Sequence, residues 1–196
     1  MKIIGITGGV GAGKSEVLKL LRQNYNCEIV LADDVGNEVK EPGQDCYKEI
    51  VNIVGEQILD ESGRIDKAKM AAAIFADDTL LGRVNACIHP AVIKRIKEKA
   101  ENARKSEIYD YFFIEAALLI ECGFNDYVDQ MWYIYASKEV RRQRLKMTRG
   151  YADDKIDAIM SSQLSDEQFR AGADVIIDNS GELTDTFKQI QRALAK

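Results

Sequence analysis

The stretch GITGGVGAGKSEVLKLL, residues 5–21, decides which fold this chain can adopt. Residues 8–15, GGVGAGKS, fit the pattern G-x-x-x-x-G-K-[ST] of a phosphate-binding loop. The apolar run at residues 3–6 predicts a short buried strand before the loop, and apolar residues at helical spacing predict a helix after it. A strand, a glycine loop and a helix in this order indicate an α/β fold that binds a nucleotide at the loop.

The loop suits a polyphosphate because glycines let consecutive backbone N–H groups point inwards around it. The following helix adds its unpaired N-terminal N–H groups and the positive end of its dipole. We expect the Lys14 ammonium to reach the β- and γ-phosphates of ATP, and the Ser15 hydroxyl to bind Mg²⁺. The predicted nucleotide-binding residues of the loop are Gly8, Gly9, Val10, Gly11, Ala12, Gly13, Lys14, Ser15 and Glu16.

Composition excludes several other functions. The chain has 196 residues, a formal net charge of −5 and a single histidine, His89. An acidic chain has no general attraction to nucleic acid or to an anionic membrane, so we expect neither as a partner. One histidine excludes His-rich zinc sites, and the four cysteines show no metal-ligand spacing. No apolar stretch reaches the ~18 residues of a membrane span, and Met1 leads straight into the first strand, so we expect no signal peptide. We therefore expect a cytoplasmic protein, in which the thiols are kept reduced.

Two carboxylates follow predicted strands. Residues 27–32 predict a second strand that ends at Asp33-Asp34, and residues 109–114 predict a third strand that is followed by Glu115. Open α/β sheets bind ligands beyond the carboxyl ends of their strands. Asp33 could accept the proton of a hydroxyl substrate, although Asp33 or Asp34 could instead cap the following helix. Glu115 could orient Mg²⁺ beside the phosphate loop, or could simply begin a helix.

The densest positive charge in the chain lies on one predicted helix. Residues 131–136 predict a fourth strand, and Ser137 after it is a good N-cap for this helix. Its cationic residues are Arg141, Arg142, Arg144, Lys146 and Arg149. Arginines on a mobile lid neutralise charge on a transferred phosphoryl group, so we interpret residues 137–170 as a lid. The alternative is an exposed cationic helix without such a role.

Residues 44–105 show a mainly helical pattern that is too long for an ordinary crossover connection. One helix, at about residues 79–88, is predicted to end at His89-Pro90, and a long helix to begin there, because proline is favoured at the first helical position. We interpret residues 41–105 as an inserted block that could close over a second substrate. A short helix at residues 118–120 is predicted to end near Gly123. Residues 173–177 predict the fifth strand, and residues 183–194 an amphipathic helix.

The chain resembles the dephospho-coenzyme A kinase family nearly end to end. The motifs that carry the resemblance are GITGGVGAGKS, Ala32-Asp33 at the family's D-A-D, residues 85–90 at its N-x-x-x-H-P, residues 118–121 at its P-L-L-F-E, Arg144-Leu145 with Arg149 at its R-L-x-x-R, Gln163, and the ending ADVIIDN at residues 173–179. The phosphate loop alone is common to all P-loop kinases. The H-P placement, the lid arginines and the ending are together much more specific.

The resemblance implies transfer of the γ-phosphoryl group of ATP to the 3′-hydroxyl of dephospho-coenzyme A, the last step of coenzyme A synthesis, with Mg²⁺ as cofactor. It implies that Asp33 is the general base. Lys14, Arg144 and Arg149 would stabilise the transferred group, and Ser15 and Glu115 would bind the metal. The residues implied to bind dephospho-coenzyme A are Asp33, His89, Leu118 and Glu121. Asn179 is implied to lie near the adenine of ATP.

The resemblance further implies a P-loop NTPase α/β fold with three layers and a central five-stranded parallel sheet. The core would comprise residues 1–40, 106–136 and 171–196, with the helical block at 41–105 and the lid at 137–170. We expect a monomer or a small homo-oligomer.

The sequence departs from the family pattern at five positions, the first of which is Glu16, where the family commonly has Thr after the motif serine. Leu31 stands where the family usually has the first Asp of D-A-D, Ala117 replaces a Pro and Glu115 replaces an Asp. Arg149 lies one residue later than the family spacing. Two alternatives therefore stay open: a kinase for another small hydroxyl or nucleoside-monophosphate acceptor, and a nucleotide-binding regulatory protein without transfer activity.

Overall fold

The computed structural model describes residues 1–195, and at Asp78 it describes the backbone alone. The strands are β1 (Lys2–Thr7), β2 (Cys27–Leu31), β3 (Tyr111–Glu115), β4 (Gln130–Tyr135) and β5 (Val175–Asp178). The α-helices are α1 (Lys14–Asn24), α2 (Ala32–Glu38), α3 (Asp45–Val54), α4 (Lys67–Ala76), α5 (Asp78–Ser106), α6 (Lys138–Arg149), α7 (Asp153–Ser161), α8 (Asp166–Ala171) and α9 (Leu183–Leu194). Two short 3₁₀-helices span Glu56–Ile58 and Phe124–Asp126.

The strands form one five-stranded parallel sheet in the order β2-β3-β1-β4-β5. The central strand β1 pairs with β3, where Ile6 lies opposite Glu115, and with β4, where Ile6 lies opposite Trp132. Parallel strands covered on both faces must be apolar almost throughout, which is why β1, β3 and β4 are nearly continuous apolar runs. The predicted α/β fold with a five-stranded parallel sheet is confirmed, and the phosphate loop follows the middle strand.

Each face of the sheet has its own apolar layer. On one face, Val17 and Leu21 of α1 and Ile190 of α9 pack with Trp132 and Phe113 in one buried cluster. On the other face, Tyr133 of β4 stacks on Phe169 of α8 with ring centroids 4.7 Å apart. Alternate residues of β4 point to opposite faces, as strand geometry requires, so a single strand anchors both layers.

The chain divides into two compact units. One comprises residues 1–29 with the chain from residue 103 onwards, and the other comprises residues 30–102. Within the second unit, Glu38 of α2 forms ion pairs with Arg95 and Lys99 of α5. Also within it, the Cys46 and Cys87 sulfur atoms lie 3.2 Å apart, and both thiols are free. The assignment of residues 41–105 as an acceptor-binding block and 137–170 as a lid stays a prediction.

Two local predictions were wrong. The helix break at His89-Pro90 is absent, because α5 continues from residue 78 to residue 106 with Pro90 inside it. Proline removes the hydrogen bond to the carbonyl four residues earlier and crowds that carbonyl, but the long helical flanks on both sides keep the segment helical. The short helix predicted at residues 118–120 is instead a series of turns that leads to the 3₁₀-helix at Phe124. Gly123 does have the left-handed conformation of a chain reversal, with φ 71°.

Several helix ends agree with the sequence signals. Ser137 caps α6 by accepting a hydrogen bond from the Val140 amide at 3.3 Å. Ser165 and Gln168 form a capping box at the start of α8, as the pattern S-D-E-Q at residues 165–168 indicates. The last helix has the predicted bounds, residues 183–194. Among the described residues, no helix is both long enough and apolar enough to cross a membrane.

Candidate active site

The phosphate loop runs from the end of β1 to the start of α1 in a conformation that only glycine adopts readily. Gly11 and Gly13 have φ values of 78° and 87°. A Cβ at Gly8 would overlap the Ile134 carbonyl oxygen, because the loop passes directly over the end of β4. Gly8, Gly11 and Gly13 are therefore required by backbone angle or by close packing.

Lys14 and Glu115 meet at the carboxyl ends of the two central strands. The Lys14 ammonium donates a hydrogen bond to the Gly8 carbonyl at 2.8 Å, and it lies 3.5 Å from a carboxylate oxygen of Glu115. Their side chains are only 15% and 18% exposed, so the charges act through a poorly hydrated space. The two residues predicted to contact phosphate and metal are thus in contact with each other.

The other predicted metal ligand, Ser15, is exposed in the first turn of α1. The neighbouring residue Glu16 forms an ion pair with Lys19, one turn further along α1, at 2.7 Å. Among the side chains that the structure describes, no group of three or more His, Cys, Asp or Glu could hold a metal ion by itself. One carboxylate and one hydroxyl fit Mg²⁺, which keeps several waters and takes substrate phosphate oxygens as its remaining ligands.

Asn179 and Arg144 hold the carbonyl of Ala12 in the phosphate loop. The Asn179 amide donates to that carbonyl at 2.8 Å, and its own oxygen accepts from the Thr186 hydroxyl at 2.9 Å. Arg144 donates to the Ala12 carbonyl at 3.2 Å and to the Asn179 carbonyl at 2.8 Å. Asn179 is only 1% exposed, so these bonds form a buried link between the loop and the end of β5.

Arg141 and Gln163 contact the loop at Val10, a contact that neither the lid interpretation of Arg141 nor the family match at Gln163 had predicted. Arg141 Nε donates to the Val10 carbonyl at 2.8 Å, and the Gln163 side-chain oxygen accepts from the Val10 amide at 3.0 Å. Burial lowers the pKa of Arg141, while the negative charge of Asp166 opposes this shift. Burial and a hydrogen bond to Asp166 in turn raise the pKa of Tyr133.

The remaining cations of α6 have other partners. Arg142 pairs with Asp153 at 2.6 Å and with Asp157, and Lys146 pairs with Asp153 at 2.8 Å. Arg149, predicted to contact the transferred group, lies over the Tyr151 ring at 5.9 Å from its centroid. The predicted positive cluster is therefore divided, because one face of α6 contacts the phosphate loop and the other pairs with the acids of α7.

The predicted acceptor residues lie elsewhere in the chain. Asp33 and His89 belong to the unit of residues 30–102, and both are exposed, in the first turn of α2 and on α5 respectively. Within that unit, burial lowers the pKa of the Lys40 ammonium, and the negative charge of Asp33 opposes this effect. Leu118 is 48% exposed in the turns after β3, and Glu121 is exposed in the same segment.

A glycine loop after a central parallel strand, with a lysine held against a strand-end carboxylate, defines a nucleotide-binding enzyme of the P-loop kinase class. The chain matches the family model described as CoaE, dephospho-CoA kinase, over residues 2–185. It therefore belongs to the dephospho-CoA kinase family.

Individual relatives agree with this assignment. The chain is 34% identical to the dephospho-CoA kinase of Carboxydothermus hydrogenoformans, with 100% of this chain and 94% of the relative covered. It is 35% identical to that of Thermobifida fusca, with 97% of each chain covered. Among solved structures, it is similar to TT1252 from Thermus thermophilus, with a TM-score of 0.80, 27% identity and 99% and 96% of the two chains covered.

Proposed function

We propose that this protein transfers the γ-phosphoryl group of ATP to the 3′-hydroxyl of dephospho-coenzyme A and releases ADP and coenzyme A. The observation that supports this most directly is the contact of Lys14 with both the phosphate loop and Glu115, in a chain that belongs to the dephospho-CoA kinase family. An ammonium held at the loop carbonyl suits the binding of β- and γ-phosphates. The family membership favours dephospho-coenzyme A over other acceptors.

In the proposed reaction, the 3′-oxygen forms a bond to the γ-phosphorus while the bond from that phosphorus to the β–γ bridging oxygen breaks. The proton of the hydroxyl passes to Asp33, whose exposed position in the first turn of α2 leaves its carboxylate accessible. Lys14 stabilises negative charge on the transferred group, and we assign Arg144 and Arg149 the same role. His89, Leu118 and Glu121 are proposed to contact the acceptor, and Asn179 the adenine side of ATP.

Mg²⁺ is the proposed cofactor. Ser15 and Glu115 would hold it, and when bound it would supply positive charge that offsets negative charge on the transferred phosphoryl group. A cytoplasmic location belongs to the same proposal, because free thiols such as Cys46 and Cys87 persist in a reducing compartment.

The test is ADP release with a panel of acceptors in the presence of ATP and Mg²⁺. We expect rapid turnover with dephospho-coenzyme A, and slow or no turnover with nucleoside monophosphates, shikimate or pantetheine. Preferred turnover of a nucleoside monophosphate would refute the assigned acceptor. ATP binding without any acceptor-dependent turnover would indicate the regulatory alternative.

The role of Asp33 has its own test. Asp33→Asn removes the proton acceptor at nearly constant size, so kcat should fall by roughly 10²–10⁴-fold with little change in ATP affinity. Asp34→Asn is the matched control, because Asp34 is also exposed in the first turn of α2. An equal kcat for wild type and Asp33→Asn would exclude Asp33 as the base.

A further inference from the structure

Both polar groups of the Val10 backbone are bound by side chains from residues 137–170. Its amide donates to the Gln163 side-chain oxygen at 3.0 Å, and its carbonyl accepts from Arg141 Nε at 2.8 Å. Arg141 also donates from Nη2 to the same Gln163 oxygen at 3.1 Å. The three groups therefore form a closed ring of hydrogen bonds, in which each group holds the other two.

The space for this ring is provided by Gly9. A Cβ at Gly9 would overlap the Arg141 guanidinium, so glycine at this position is what lets the side chain lie on the loop. Burial lowers the pKa of Arg141, although the negative charge of Asp166 opposes this shift. A half-buried guanidinium that donates to a backbone carbonyl and to a side-chain amide oxygen orients both partners through well-directed hydrogen bonds.

The ring also separates the amides of the loop into two groups. The Val10 amide is bound to Gln163, and the Ala12 amide is bound to the Gly9 carbonyl at 3.1 Å. Neither is therefore directed at a phosphate. The donors for a phosphate must come from the other loop amides and from the N-terminus of α1, whose positions depend on where the Val10 peptide is held.

We propose that Arg141 and Gln163 are positioning residues that hold the Val10 peptide from the lid segment, so that the phosphate loop has its ATP-binding conformation only while these contacts are made. Neither residue needs to touch the nucleotide. Both act through Val10, and they make ATP affinity depend on residues more than a hundred positions further along the chain. The inference rests on the proposed function only in that ATP is the ligand of the loop.

The first test measures amide hydrogen exchange at Val10 in the nucleotide-free protein. Gln163→Met keeps the length of the side chain and removes the acceptor, so Val10 exchange should become about tenfold faster or more. Gln163→Glu keeps an acceptor for both donors and should leave Val10 protected to within about threefold of wild type. Gln143→Met, at an exposed position of α6, is the matched control and should leave Val10 exchange unchanged.

The second test separates ATP binding from acceptor binding. In Gln163→Met, KM for ATP should rise by about tenfold, which corresponds to the loss of one partly buried hydrogen bond, while KM for dephospho-coenzyme A stays within twofold. A rise of both KM values together, or an equal effect of Gln143→Met, would overturn the proposal by indicating general destabilisation.

A third variant keeps the proposal testable if Gln163→Met does not fold. Arg141→Lys retains the charge but cannot bind the Val10 carbonyl and Gln163 in the same fork geometry, so it should show the same faster exchange and the same selective rise in KM for ATP. Unchanged Val10 exchange in both Gln163→Met and Arg141→Lys would refute the proposal. Because exchange is measured without substrate, a wrong assignment of the acceptor would leave this result intact.

Discussion

Gly13→Ala should destabilise the protein strongly. Two physical effects contribute, and a control variant can distinguish them. The first is backbone angle, because Gly13 has φ 87° and a residue with a Cβ adopts this region at a cost of about 1–2 kcal/mol. The second is space, because the new Cβ would overlap the side-chain nitrogen of Asn179. Asn179 cannot move away cheaply, since it is 1% exposed and bonded to Ala12 and Thr186.

Displacing Asn179 would break its hydrogen bond to the Ala12 carbonyl and leave a buried amide without a partner, which costs about 1–3 kcal/mol. The expected total for Gly13→Ala is therefore about 2–5 kcal/mol. Gly150→Ala is the matched control, because Gly150 has φ 61° and no atom within 4 Å of an added Cβ. It should lose only the backbone contribution of about 1–2 kcal/mol.

The assay is urea unfolding followed by the fluorescence of Trp132, the only tryptophan, which is fully buried. The free energy of unfolding should be lower in Gly13→Ala than in Gly150→Ala by about 1–3 kcal/mol, the contribution of the displaced amide. Equal losses in the two variants would refute the claim that Asn179 is fixed against the loop. A larger loss in Gly150→Ala would refute it as well.

Two further predictions concern titratable groups in the unit of residues 30–102. Burial raises the pKa of the Cys46 and Cys87 thiols, so at pH 8 iodoacetamide should modify them far more slowly in the native protein than in urea. Mass spectrometry of tryptic peptides measures the extent of modification. Rapid alkylation of Cys87 in the native protein would contradict the prediction. The hydrogen bond from Lys99, with help from Arg95, holds the pKa of Glu38 below its ordinary value. A lowered carboxyl pKa contributes stability above the unfolded-state pKa and loses it as the pH falls through the folded-state pKa. Urea unfolding should therefore give Glu38→Gln a lower free energy of unfolding than wild type at pH 7, and a nearly equal one near pH 3. A difference that does not change with pH would count against the ion pairs.

The sequence predicted the sheet and the phosphate loop because both depend on local patterns. Apolar runs of five or six residues define buried strands, and the glycine spacing defines the loop. The Ser165–Gln168 capping box was also readable, since its two bonds join residues three positions apart. By contrast, Pro90 was read as the start of a helix because its local preference does not reveal the stabilising turns on both sides.

The cationic cluster of α6 shows what was overlooked. Arg141 and Arg144 are three positions apart and so share a face of the helix, whereas Arg142 and Lys146 share another. Helical spacing could have separated the residues that contact the loop from those that pair with α7. It could not have identified Val10 and Ala12 as their partners, because those contacts join residues more than 130 positions apart.

The long separation between the loop and its supports has a consequence for synthesis on the ribosome. The motif residues emerge among the first fifteen, but Ala12 is held by Asn179 and Val10 by Gln163, at separations of 167 and 153 positions. The central strand likewise lacks both neighbours until residues 111–115 and 130–135 have been made. A nascent chain that carries the complete GGVGAGKS signature therefore has no means of fixing it, and capture of ATP is deferred until translation is almost finished.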